Sequence, residues 1–456
     1  MEFYQKIIVV VSVVLAVSGC ISDGKKGRVR EAASENNIIF TDQTRAQCEN
    51  DKSLFVNDDA EELSLEQVMA LALMKNPSLE SYSYSMRAAE ARILQSRVFP
   101  NPGLELEIES LGRDGKKYSE TAEPGIMLGQ LIELGGKRRA RIDTARAKGE
   151  LAALEYECRK IDVMTAATLC FTDVLFSQQR LELADGVLSI AEQTSRTVDE
   201  RVKAGKESPV QSSKADAELE LARLEYSEAQ TDLDTRRRAL SMMWGAEDVH
   251  FKTVSGSTGI IKGDIPDLGA LQGQLDMNPE LVLADARVKI SESELSVEKA
   301  ARIPDVTVGA GVKQFEEDDT HALIVGIGLP LPLFDRNEGN IAAAEHELAR
   351  ADADRRAVKL DVLNRLADAY SVYVSSRNRA YVLQSKVVTA AERIYDSACT
   401  GYKEGKLELL DVLDAQRSLY EVKEKLISTL HEYHKALCRI DRIAGKNIFK
   451  FAEERN

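Results

Sequence analysis

The chain has 456 residues, 5% aromatic and 30% charged, with a formal net charge of −15. That acidic balance excludes nucleic acid as the natural partner and suits cationic cargo or plain solubility. Long stretches rich in Ala, Leu, Glu, Lys and Arg favour extended helices over a compact α/β enzyme.

At the N-terminus Lys6 precedes an apolar run from Ile7 to Val17, then Ser18-Gly19-Cys20. The run is too short to span a bilayer as a mature anchor. Small residues directly before a cysteine predict a bacterial lipoprotein signal over 1–19, cleaved so that Cys20 takes acyl chains. Ordinary secretion with an incidental cysteine is the competing reading. Ile21 follows, so the acidic residue that retains lipoproteins at the inner membrane is absent. Residues 20–62 read as a polar tether. Cys48 lies within it, and Cys158, Cys170, Cys399 and Cys438 read as small apolar core residues of helices. No other apolar run approaches the roughly 20 residues of a membrane helix.

The rest of the chain is one unit written twice. Asn76-Pro77 recurs as Asn278-Pro279, Phe99-Pro100-Asn101-Pro102 as Ile303-Pro304-Asp305-Val306, Leu128-Gly129 as Ile327-Gly328, and Lys203-Ala204-Gly205-Lys206 as Lys403-Glu404-Gly405-Lys406. The offsets are 202, 204, 199 and 200. The repeats are 63–244 and 267–445, joined by a Gly-, Ser- and Thr-rich loop over 245–266 and followed by a tail over 446–456.

In each repeat an Asn caps a helix that opens on Pro. The first of these helices runs to about Val98, where Phe99-Pro100 stops it. Strand pairs are expected at about 103–134 and 305–333. A long helix follows at 137–204, and its counterpart at 337–404. Leu151, Leu154, Cys158 and Ile161 step by three and four, which is coiled-coil spacing. Gly205 and Gly405 end these helices as left-handed caps, and further helices follow at 208–243 and 408–443. One long helix can thus lie against two shorter ones stacked end to end.

The strand pairs are the membrane candidates. Leu104, Leu106 and Ile108 alternate with Glu105, Glu107 and Glu109, and Val306, Val308, Ala310 and Val312 alternate with polar or small residues. Ile126 to Leu134 and Ala322 to Leu333 are more continuously apolar. Each segment has about the 9–11 residues of a membrane strand. Polar loops join the pairs at Leu111 to Thr121 and Glu316 to Asp319. Two soluble hairpins packed on the helices would look similar locally. Four strands cannot close a barrel alone, however, and open edges need a partner.

Phe99-Pro100-Asn101-Pro102, Leu134-Gly135-Gly136-Lys137-Arg138 and Pro330-Leu331-Pro332-Leu333-Phe334-Asp335-Arg336-Asn337 resemble the heavy-metal (cobalt–zinc–cadmium) branch of the TolC-like outer membrane factors. Asp411-Val412-Leu413-Asp414-Ala415 is similar to the periplasmic-tip motif of the wider family. The resemblance implies a mainly α chain with membrane β: long antiparallel helical hairpins forming an α-barrel, and four strands lent to a twelve-stranded barrel of a homotrimer. It implies outer membrane lipid, a periplasmic adaptor (membrane fusion protein) and an inner-membrane resistance–nodulation–division pump as partners. The protein would be a conduit and no enzyme, with no cofactor.

By that resemblance Asp411 and Asp414, three residues apart on one helix face, line the periplasmic entrance. Gln211 and Lys214 hold the matching places in the first repeat, so only the second supplies acids. Arg201, Gly205, Ser208, Lys403, Gly405 and Leu407 form the tips that meet the adaptor, simple helix capping being the plainer account. Glu105, Glu107 and Glu109 face the barrel lumen. His431, His434 and Cys438 lie on one helix at spacings of three and four, which suits zinc or copper. The stretch equally suits packing in a helical barrel, and a conduit gains nothing from tight binding, so no metal is assigned. The readings that compete with metal efflux are a drug, dye or organic-solute channel of the same architecture, and a periplasmic coiled-coil scaffold lipoprotein.

Overall fold

The computed structural model describes residues 61–109, 123–260, 266–315 and 320–445. The signal, Cys20, Cys48, nearly all of the tether, the loops over 111–121 and 316–319 and the tail lie outside the described residues. The first repeat runs β1 (Glu62–Ser64), α1 (Leu65–Lys75), α2 (Pro77–Ser96), β2 (Gly103–Glu109), β3 (Glu123–Ile132), α3 (Lys137–Lys203) and α4 (Pro209–Ser241). A single strand follows, β4 (Thr253–Ser255). The second repeat runs α5 (Leu268–Gln272), α6 (Pro279–Ala301), β5 (Val306–Phe315), β6 (Thr320–Gly328), α7 (Glu338–Val382), a π turn (Leu383–Val387), α8 (Val388–Lys403) and α9 (Leu409–Ala444). The chain divides into two compact units.

One unit takes Leu94–Asp143 and Glu294–Ala344 among its residues. It contains an antiparallel sheet of order β2-β3-β5-β6, so β2 and β6 have one neighbour each. Leu106 pairs with Ile126, Ile126 with Val312 and Val312 with Leu323. Successive strand residues alternate faces, so these apolar side chains share one face. Glu105, Glu107, Glu109, Glu123 and Lys313 share the other with Gly125, Gly309 and Gly311. The apolar face is uncovered: Leu106 is 70% and Ile327 75% exposed. The fourth strand, expected over Ala322–Leu333, stops at Gly328, because Pro330 and Pro332 donate no ladder hydrogen bonds.

Three of the motifs that carry the resemblance are pinned by contacts within this unit. The Arg138 guanidinium lies 3.8 Å over the Phe99 ring and donates to the Arg97 carbonyl. Lys137 pairs with Asp305 at 2.8 Å, and Asp305 also accepts from the Leu134 N–H. Gly135 has φ +67°, and a Cβ there would stand 2.7 Å from the Ile303 Cβ, so both backbone and space demand glycine. Asn337 takes the left-handed position before α7 (φ 59°) and donates to Glu298 from its side chain.

The other unit takes Val56–Ile93, Thr144–Ser293 and Glu345–Asn456. Each repeat builds its own core there. Leu71, Phe171, Val174, Leu240 and Trp244 pack together in the first, and Leu271, Val362, Leu366, Tyr433 and Leu437 in the second. Each Asn of the Asn-Pro pairs does the same double duty. Asn76 caps the Ser78 N–H and donates to the Met243 carbonyl at 2.7 Å. Asn278 caps the Glu280 N–H and donates to the Ile443 carbonyl at 2.7 Å.

Two expectations need correction here. The joint over 245–266 is not all loop: β4 pairs in parallel with β1. That partner lies far away in sequence, so local composition gives no sign of it. The long helix of the second repeat runs unbroken from Glu338 to Lys403 but is not α throughout, because a π turn over Leu383–Val387 lies between α7 and α8. The turn absorbs one extra residue, which explains why the repeat offset is 199 at Ile327 and 200 at Gly405.

Candidate functional site

Two places bring the sequence-chosen residues together: the turns of the two helical hairpins, and the polar face of the sheet. At the turns Gly205 (φ +66°) and Gly405 (φ +73°) end α3 and α8. The Lys206 N–H returns to the Arg201 carbonyl at 2.9 Å and the Lys406 N–H to the Gly401 carbonyl at 2.8 Å, which closes each helix end. Ser208 caps α4 through the Val210 N–H, with Pro209 at the first helical position.

The second hairpin starts α9 differently. The Glu408 N–H donates to the Asp411 carboxylate at 2.9 Å, and the Glu408 side chain accepts from the Asp411 N–H. Asp411 is therefore half of a capping box as well as an exposed acid. Asp414 is exposed one turn on, while Val412, Leu413 and Ala415 point inward.

The two turns clasp each other. Arg201 lies 4.6 Å over the Tyr402 ring and 3.3 Å from Glu207, and the Tyr402 hydroxyl donates to the same carboxylate. Beneath them Val198, Ala215, Leu409 and Leu413 form a small core. Burial, opposed by Arg201 and aided by Glu207, holds the Tyr402 phenol above its ordinary value, so it stays a neutral donor. Leu407 folds against Gly401, where a Cβ would come within 2.7 Å of it. Lys403 is exposed. Sequence reading missed Glu207 and Tyr402. The available signal was a break in repeat symmetry, since their counterparts are Leu407 and Val202.

On the sheet, Glu105, Glu107 and Glu109 lie on the face opposite Leu104, Leu106 and Ile108. Lys313 reaches Glu109 and Glu123 at 2.6 Å each. Neither Glu123 nor Lys313 was singled out, because only the cross-strand register brings them to Glu109.

His431, His434 and Cys438 are not brought together. His431 contacts Asp173 at 2.7 Å and stacks on Phe176. His434 contacts the Gly259 carbonyl at 3.1 Å. Among the described residues no group of His, Cys, Asp or Glu is arranged to hold a metal. Cys158 is buried, and burial pushes its thiol up to about 11, so it is an inert core residue. No described helix is long and apolar enough to cross a membrane.

The profile of the outer membrane efflux proteins matches residues 68–246 and 270–446, one match in each repeat. The chain belongs to the outer membrane efflux protein family. This efflux protein is 33% identical over 394 residues to the cobalt-zinc-cadmium resistance protein CzcC of Cupriavidus metallidurans, covering 86% of this chain and 92% of that one. It is 27% identical over 299 residues to the nickel and cobalt resistance protein CnrC of the same species, covering 65% of this chain and 69% of that one. The efflux protein also shares its fold with the CmeC outer membrane channel of Campylobacter jejuni, with a TM-score of 0.71 at 18% identity over 86% of this chain and 89% of that one. Transport at the outer membrane, rather than catalysis, is the work of the family.

Proposed function

We propose that three copies of this efflux protein close one channel and pass heavy-metal cations out of the cell. Each copy lends four strands to a twelve-stranded β-barrel and its hairpins to a periplasmic α-barrel. The observation that carries this reading is the sheet with two open edges and one uncovered apolar face. Such edges need partners, and three copies supply enough strands to close a barrel with its apolar side to lipid. The metal cargo is supported by similarity to a protein named for cobalt, zinc and cadmium resistance.

In this reading Cys20 carries the lipid anchor and the polar face of the sheet lines the lumen. The turns around Gly205 and Gly405 meet a periplasmic adaptor, which couples the channel to a resistance–nodulation–division pump. Asp411 and Asp414 from three copies ring the entrance, repelling anions and attracting cations. The protein is a conduit without cofactor or catalytic step.

The detergent-extracted protein is expected to migrate as a trimer and to give cation-preferring conductance in planar bilayers. Deletion of the gene is expected to sensitise cells to divalent metals. A water-soluble monomer would end the channel reading, and sensitivity to dyes and detergents alone would end the metal reading.

A further inference from the structure

Four glutamates and one basic side chain lie on the polar face of the sheet among the described residues: Glu105, Glu107, Glu109, Glu123 and Lys313. Glu109 and Glu123 are cross-strand partners on β2 and β3. Lys313 on β5 pairs with Gly125, two residues along β3 from Glu123, so it reaches the pair from the same face. Its ammonium is 2.6 Å from an oxygen of each carboxylate and 5.5 Å from the Phe315 ring centre. Glycine at 125 leaves the path of the lysine clear of any side chain at the paired position.

Two carboxylates that converge on one cation offer the grip that divalent metals take from proteins. A channel wall with that grip would hold its own cargo, because conduction needs binding weak enough to release. We propose that Lys313 is a tethered counter-ion, occupying the cation position between Glu109 and Glu123 so that divalent metal cations pass the wall without lodging there. A covalently held ammonium cannot diffuse away, so it outcompetes dilute metal at that point. Glu105 and Glu107 lie further along β2 and keep their attraction for cations. The inference rests on the reading of this face as the lumen of a metal channel. It assigns Lys313 a role in passage and selectivity rather than in binding.

The test uses the full-length, detergent-solubilised protein with zinc chloride as probe. Lys313→Met and Lys313→Gln are expected to bind zinc at least about tenfold more tightly than the wild type in calorimetric titration. In planar bilayers zinc is expected to block their current at concentrations that leave the wild-type current unchanged. Adding Glu109→Gln and Glu123→Gln to either variant should abolish both effects, and Lys313→Arg should behave as the wild type. The proposal is overturned if the uncharged variants bind no more zinc than the wild type, or if the wild type binds zinc at Glu109 and Glu123 as tightly as they do. Zinc binding gained as expected, in a protein that gives no conductance, would instead overturn the channel reading and with it the role in passage, leaving Lys313 only as the counter-ion that keeps metal from Glu109 and Glu123.

Discussion

Asp173 on α3 accepts from His431 at 2.7 Å and Lys435 at 2.8 Å, both on α9, so one carboxylate ties the two repeats together. Burial pushes its carboxyl up, but the hydrogen bonds and charges of His431 and Lys435 outweigh that, and it titrates below the ordinary carboxylate range. A carboxyl depressed in the folded state stabilises above its unfolded value, near 4, and loses that contribution as pH falls through the folded value. Asp173→Asn is therefore expected to cost about 1–2 kcal/mol at pH 7, less than a fully buried pair because water still reaches the cluster. The cost should shrink toward zero well below pH 4. Denaturant midpoints of wild type and variant across pH check this, and a cost that does not change with pH would refute it. None of this is legible in sequence, where Asp173 is one acid among many on a long helix.

At the scale of elements, the first repeat buries Ser177, Ala184, Ala191 and Val198 at steps of seven along α3. The second buries Ser376, Ala380, Ala391 and Ala398, and the counterparts of the first repeat's seam, Ser376, Ala391 and Ala398, stand fifteen and then seven residues apart. The surplus residue falls in the π turn over Leu383–Val387, which rotates the chain so that Ala391 and Ala398 still face inward. Deleting Ser385, which is exposed, is expected to replace the π turn by regular α-helix, as in α3, with stability kept to within about 1 kcal/mol. Deleting Glu392 instead should turn Ala398 by about 100° off the core and destabilise the tip markedly. Hydrogen exchange and melting in detergent distinguish the two, and equal damage from both deletions would refute the account. The three-and-four steps of Leu151, Leu154, Cys158 and Ile161 and both glycine caps are legible in the spacing, whereas the seam from Ser177 to Val198 emerges only from burial. The π turn was recorded only as a change of offset by one residue, and burial is what gives that change a meaning.

At the scale of the whole molecule, the acids we propose for the entrance, Asp411 and Asp414, carry two roles that a single substitution would confuse. Asp411 caps α9 as well as lending charge, and Asp414 lends charge alone. Replacing both by alanine is expected to raise resting conductance or lower cation preference, and also to lose about 0.5–2 kcal/mol of cap. Asp411→Asn with Asp414→Asn keeps a capping acceptor and removes the charge. If charge governs the entrance, the asparagine pair should reproduce the conductance change without the loss of stability in single-channel and melting measurements. Wild-type conductance and selectivity in the asparagine pair would remove the charged ring from the proposed entrance.

Sequence alone determined what depends on local order: the duplication, the helix stops at proline and glycine, the alternation of the strands and the family motifs. Each of these is a constraint between residues a few positions apart, so it is written where it acts. Tertiary structure decided which distant residues meet: Lys313 with Glu109 and Glu123, Arg201 with Tyr402 and Glu207, and β1 with β4. Those meetings follow from strand register and helix packing, which bring together residues up to about two hundred positions apart, and no local pattern of polarity encodes them.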